Sequence, residues 1–349
     1  SFAFIPIMLP FKAFGLGAIF TAAFISGIFQ IWIGKMLKPI RHMFPPLVTG
    51  IVVLMIGISL LKVGFKYAGG GVWLMNNKPE IFANWEHLLI AGTVLIVALL
   101  CNLKGKGMVS AASILIGIIA GFVMAALLGE IRWGKIAAAG WFAFPMPFQY
   151  GIDFVWGAVI LMLFMSIVTT IETIGDISAT TMGGANREAT DKELSGGIMA
   201  DGVGTAFASI FNAMPNTSYS QNAGLVAFTG VISRHVGTVA GVILILLGLF
   251  PKLGGIIAAM PDSVIGGAAI IMFGLIAGAG IKLISKSEMS QRNILILALS
   301  LSFGIGLYAF PEFVAHIPDF GIKLKLLLTT GLIPAGLLAF VLNATLPKK

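Results

Sequence analysis

Two carboxylates, Glu172 and Asp176, sit in the middle of the apolar run LMLFMSIVTTIETIGDISATT. Their spacing of four puts both on one face of a helix. A third, Asp201, follows in GGIMADGVGTAFASIF. Then comes PNTSYSQNAGLVAFTGVISRHVG, in which Asn216, Thr217, Ser218, Tyr219, Ser220, Gln221 and Asn222 stand in a row between apolar stretches. These residue types hold and orient a polar ligand rather than break its bonds. Gln221 offers one acceptor and one donor edge, which matches the O=C–N–H edge of a lactam ring. An ionised Glu172 accepts an N–H in a charge-assisted bond. A carboxylate surrounded by hydrocarbon also takes up a proton more readily than one in water. That gives a basis for coupling to H⁺, with Na⁺ as the alternative ion.

Each residue also has a plainer reading. An intramembrane carboxylate can serve as a hydrogen-bond partner for a neighbouring helix, and a polar stretch can be a loop with Ser220 or Asn222 capping the helix after it. For Glu172 the cost of placing a charge in hydrocarbon favours a functional role. Asp176 and Asp201 suit either substrate contact or support of the site's geometry. For the polar stretch, a loop would leave Leu225–Ile232 too short to cross a bilayer. An irregular backbone lining a wet cavity, followed by a half-helix from about Gln221, solves that problem.

The elements that position these residues are membrane helices. Hydrophobic residues make up 58% of the 349 and charged residues only 10%, and mean hydropathy is +1.01. A water-soluble domain carries about 25% charged residues. The 44 glycines suit helices that pack through small residues. The net charge of +8 comes from basic residues scattered through loops, so it points to membrane topology and not to nucleic acid. The single Cys101 excludes a disulfide framework. His42, His87, His235 and His316 all fall near loops and form no metal constellation. With no nucleophile–base pair either, no enzyme, cofactor or resident metal is expected. Arg234, just after the half-helix, reads as a topology or gate residue.

A ruler of about 20 apolar residues per crossing gives candidate spans near 14–34, 45–64, 87–103, 108–129, 153–178, 196–213, 235–250, 263–282, 292–309 and 325–344. Two pieces, Ser1–Leu9 and Gln221–Ser233, are too short to cross alone. One set of alternate loops holds Lys35, Lys38, Arg41, Lys104, Lys106, Arg187, Lys192, Arg234, Lys282, Lys286, Arg292, Lys348 and Lys349, which is 13 of the 22 basic residues. The positive-inside rule therefore places the C-terminus in the cytoplasm. The opening SFAFIPIMLPFKAFG has neither an initiator Met nor a signal-peptide pattern, and the chain is expected to begin inside a larger protein.

Three linked motifs then resemble one family. QNAGLVAFTG fits the signature of the nucleobase–ascorbate transporters. ETIGDISATT resembles that family's acidic helix, and the separation of Asp201 from Gln221 also matches. The resemblance covers the whole chain and implies an all-α polytopic membrane protein. The fold it implies has fourteen spans in two inverted repeats, two discontinuous helices, and a core and a gate domain. This chain would supply span 3 onward. The core would be 1–37 and 151–250, the gate 38–150 and 251–349. By motif, Glu172 and Gln221 would be the main substrate binders. Backbone near Phe2, Ala3 and Ser220 would complete the pocket, and Phe2 and Tyr219 would flank the ring. Asp176, Asp201 and Asn222 would support geometry and coupling. Gln at 221, with Asp at 176, resembles the purine branch; the uracil branch tends to carry Glu and His at these positions. The resemblance thus implies a symporter importing xanthine or urate across the cell membrane, a bacterial inner membrane, as a homodimer joined through its gates. An anion carrier of the same fold and a uracil permease are the alternatives. A channel is a third reading.

Overall fold

The computed structural model describes residues 14–37, 45–219, 222, 226, 230–316 and 324–347. Among these residues every regular element is helical and no strand occurs. In chain order the helices are α1 (Leu16–Lys35), α2 (Pro46–Ala68), α3 (Val72–Asn77), α4 (Trp85–Lys104), α5 (Met108–Ala111), α6 (Ser113–Leu127), α7 (Trp133–Ala138), α8 (Trp156–Ala185), α9 (Asp191–Ile210), α10 (Arg234–Gly248), α11 (Pro251–Ala259), α12 (Asp262–Ile284), α13 (Gln291–Ala309), α14 (Leu324–Thr329) and α15 (Leu332–Thr345). Six of them, α1, α2, α4, α8, α12 and α13, are long and apolar enough to cross a membrane. The pair α10 and α11 would make a seventh, bent by 80°, where Pro251 starts a new helix.

The expected continuous spans at 108–129 and 325–344 are each broken. The first divides at Ala112 into α5 and α6. The second divides before α15, where Gly331 takes a φ of 70 that an ordinary side chain resists. The short opening element at Ser1–Leu9 lies outside the described residues.

The chain gathers into two compact units, one of Ser1–Ser59, Met146–Val231 and Ile276–Lys349, the other of Leu60–Pro145 and Ile232–Leu275. In the second, α4 packs on α6 and α7 on α11. Ile90, Val94, Ala125, Ile131, Ala259, Val264 and Ala268 form its buried core.

In the first unit, α1 packs against both α8 and α9. The approach of α1 to α9 depends on absent side chains. A Cβ on Gly27 would lie 2.7 Å from Gly202 O, and one on Gly202 would lie 2.8 Å from Ile31 N. Ser195 Oγ donates to Gly34 O at 2.7 Å, and Ser166 of α8 donates to Ser26 O at 3.3 Å. The α8–α9 turn is closed by Asn186 in the left-handed region, with φ 52, and by a capping box between Thr190 and Glu193. Arg187 pairs with Glu193 across this turn. Its guanidinium and the Thr190 hydrogen bonds hold the Glu193 carboxyl well below the usual carboxylate range. A depressed carboxylate stabilises above its unfolded value, and that contribution is lost only in strong acid.

Elsewhere in this unit, Arg292 at the start of α13 donates to Asn343 O at 2.6 Å and to Leu346 O at 3.1 Å. These carbonyls belong to the C-terminal end of α15, where the helix leaves acceptors unpaired. Arg292→Ala is expected to cost about 2 kcal/mol, the scale of charge-assisted bonds, read as a lower melting temperature in detergent. Arg292→Lys, with one point charge in place of the fork, recovers only part of it.

Candidate functional site

The site grows from three elements of the first unit: the middle of α8, the middle of α9, and the chain that follows α9. From Ala213 to Tyr219 that chain has no regular structure. The sequence expectation of an unwound stretch holds over its described part, Asn216 to Tyr219. Asn222 and Val226 are helical again, and the Gly230 N–H bonds back to Val226 O at 2.8 Å. Gly230, at φ 68, ends the turn.

Threonine and serine hydroxyls tie the unwound chain to both helices. Thr205 of α9 accepts from Asn216 N at 3.2 Å and donates to Asn216 Oδ1 at 3.0 Å. Gly204 makes room, since a Cβ there would lie 2.8 Å from Asn216 Nδ2. Ser218 Oγ donates to Asp176 Oδ2 at 2.5 Å, and the Ser218 backbone hydrogen-bonds the Asp201 carboxylate. Thr173 Oγ1 donates to Asp201 Oδ2 at 2.5 Å and lies 3.2 Å from Thr217 Oγ1. Asp176 of α8 therefore holds the Ser218 side chain, and Asp201 of α9 holds the Ser218 backbone while accepting from Thr173 of α8. Irregular backbone in a membrane core persists only where its polar groups are satisfied in this way.

Glu172 differs. Its side chain is buried, at 5% exposure, yet Oε2 has no hydrogen-bond partner. It lies within electrostatic reach of Asp176 and Asp201. An acceptor buried without a partner among the described residues is costly and calls for a donor from beyond them.

The structure brings Glu172, Asp176 and Asp201 into one unit with the unwound chain. Tyr219 lies at the end of that chain, 44% exposed. The Asn222 side chain is exposed, and its backbone N–H donates to Tyr219 O at 2.9 Å. Phe2, Ala3, Ser220 and Gln221 lie outside the described residues. Thr173 and Thr205 are the members of the network that the sequence reading missed. Their positions beside Glu172, and one turn after Asp201, were the available signal. No group of three or more potential metal ligands occurs among the described residues.

A bundle of apolar helices with an unwound stretch pinned to acidic membrane helices defines a transporter. Comparison with known proteins identifies which kind. A family model described as "Permease family" matches residues 1–313. The xanthine permease XanP of Escherichia coli is 34% identical over 336 residues, covering 95% of this chain and 72% of XanP. The uric acid permease PucJ of Bacillus subtilis is 34% identical over 332 residues, 95% of this chain and 73% of PucJ. Among solved structures, the transmembrane domain of the cyanobacterial bicarbonate transporter BicA aligns with a TM-score of 0.55. That alignment has 17% identity and covers 98% of this chain and 80% of that one. At this identity the likeness to BicA shows the fold alone. The chain belongs to the permease family matched here, the nucleobase–ascorbate transporters. It is a multi-pass membrane protein of transport and not an enzyme.

Proposed function

We propose that the protein is a proton-coupled importer of a purine base, xanthine or urate. The observation that carries this reading is the buried Glu172 Oε2 with no partner among the described residues, while Asp176 and Asp201 are engaged by Ser218 and Thr173. One free, buried acceptor matches a ring N–H. In this proposal Gln221 pairs with the adjacent lactam edge, backbone near Phe2, Ala3 and Ser220 closes the pocket, and Phe2 and Tyr219 flank the ring. Asp176, Asp201 and Asn222 hold the geometry and link it to the proton. The relatives named for xanthine and uric acid support the substrate class.

The proposed cycle moves a core (1–37, 151–250) past a gate (38–150, 251–349), with the C-terminus in the cytoplasm and two copies joined through their gates. This division by motion differs in its bounds from the two compact units. The fold is shared with a bicarbonate transporter, but an ionised Glu172 repels an anion; this favours a neutral purine such as xanthine over bicarbonate, and weighs somewhat against urate, itself largely an anion at neutral pH.

Gln221→Glu tests the edge-reading role. The added charge removes a donor, so affinity for xanthine is expected to fall about tenfold or more, the effect of losing one good polar contact. Uracil should gain relative to xanthine and urate. Uptake of the three bases in cells lacking their own permeases reads this directly. An unchanged ranking with unchanged affinities removes Gln221 from the site.

A further inference from the structure

Four side chains of the site stand in one unbroken row. Ser218 Oγ lies 2.5 Å from Asp176 Oδ2 and 3.4 Å from Thr173 Oγ1. Thr173 Oγ1 in turn lies 2.5 Å from Asp201 Oδ2. The row Asp176–Ser218–Thr173–Asp201 thus passes from α8 to the unwound chain, back to α8 and on to α9. Thr173, inside the row, is buried, and the other three are half-buried. The Ser218 backbone is fixed as well, through its hydrogen bond to the Asp201 carboxylate.

The row is one hydrogen short. Its three oxygen–oxygen contacts need three hydrogens, and each of the two hydroxyls brings one. With both carboxylates ionised, Ser218 donates to Asp176 and Thr173 donates to Asp201. The contact between the two hydroxyls is then left without a hydrogen. Thr217 Oγ1, 3.2 Å from Thr173 Oγ1, can donate to Thr173 but does not fill that contact. A single proton on either carboxyl completes the row. On Asp176 it turns every bond toward Asp201, and on Asp201 it turns every bond back.

We infer that Ser218 and Thr173 relay one proton shared between Asp176 and Asp201. Transfer breaks three O–H bonds and forms three. The Asp176 proton passes to Ser218 Oγ, the Ser218 proton to Thr173 Oγ1, and the Thr173 proton to Asp201 Oδ2. Both hydroxyls end neutral, and the negative charge has moved from Asp201 to Asp176. Chains of protonatable side chains carry protons through membrane proteins in this manner.

Glu172 is the other titratable group facing the row, and it interacts with Asp176 more than with Asp201. The remaining charges of α9, Asp191, Lys192 and Glu193, lie in its first turn. Helix α1, packed on both α8 and α9, carries one charged residue, Lys35 in its last turn. An ionised Glu172 therefore favours the proton on Asp176. A substrate N–H bound to Glu172 offsets that charge and frees the proton to move to Asp201. Binding on α8 is then felt on α9. This coupling rests on the purine–proton reading; the shared proton does not.

Infrared spectroscopy of purified, substrate-free E172Q protein reads the shared proton without interference from Glu172. Added to E172Q at neutral pH, D176N and D201N should each remove the same protonated-carboxyl absorbance, because either amide supplies the third hydrogen. Both together should remove no more than either alone. Either change removing nothing, or the two losses adding, overturns the shared proton.

Proton-driven uptake of labelled xanthine into proteoliposomes reads the relay. T173V and S218A each break the row and should each slow uptake about a hundredfold, the scale of one positioned proton transfer. T173S keeps the hydroxyl and should recover most of the rate. A second break in a series costs nothing more, so T173V with S218A should match the single variants within about twofold. Losses that multiply, T173V at the wild-type rate, or T173S as slow as T173V overturns the relay. Wild-type protein that accumulates no purine would defeat the functional proposal, while the infrared result still decides the shared proton.

Discussion

Glu172→Gln is expected to abolish concentrative xanthine uptake while leaving the protein as stable as wild type or more so. The two halves of this outcome come from one fact. Glu172 is buried and Oε2 has no hydrogen-bond partner among the described residues. The amide keeps the size of the carboxyl and can never carry the charge that burial makes costly. The substrate loses a charge-assisted bond of about 3 kcal/mol, which is roughly a hundredfold in affinity. Glu172→Asp keeps the charge but retracts it by one methylene, so it should retain measurable binding. The measurements are labelled-xanthine binding and the melting temperature of purified protein. A variant that binds normally would remove Glu172 from the site. One that binds poorly and also melts lower would make it a structural residue. Lost function with gained stability is what a strained binding group predicts.

The sequence disclosed the rare residues and hid the common ones. In a chain with 10% charged residues, any carboxylate inside an apolar run is conspicuous, and Glu172, Asp176 and Asp201 were legible for that reason. So was the unwound stretch, because seven polar residues in a row cannot be part of a lipid-facing helix. Thr173 and Thr205 were not legible. Threonines in membrane helices usually turn their hydroxyls back onto the carbonyl one turn earlier, as Thr21, Thr93, Thr170 and Thr181 do here. Nothing in composition separates those from the two that reach across to Asp201 and Asn216. Helix breaks were equally obscure. Gly331 interrupts 325–344 through its φ, yet an apolar run reads the same with or without that kink.

The other large effect concerns how α1 and α9 meet. Gly202→Ala is expected to disrupt this pairing more than a typical core change does. The added methyl would lie 2.6 Å from Gly27 O and 2.8 Å from Ile31 N. Both are backbone atoms and cannot rotate away, so the helices must separate. Overpacking of this kind costs about 1–3 kcal/mol, with more expected for Gly202→Val. Separation would also shift Asp201, the adjacent residue, relative to Thr173 of α8, so transport should fall further than stability alone predicts. Gly27→Ala should do the same from the other side, where its methyl would meet Ala206 N at 2.7 Å. Once one methyl has forced the helices apart, the second has less to displace, so the double variant should be more stable than the sum of the single losses implies. Melting temperatures of the two single variants and the double variant test this. Strict additivity would mean that the two glycines do not share one contact, and the close approach of α1 to α9 would then lose its role in setting the site.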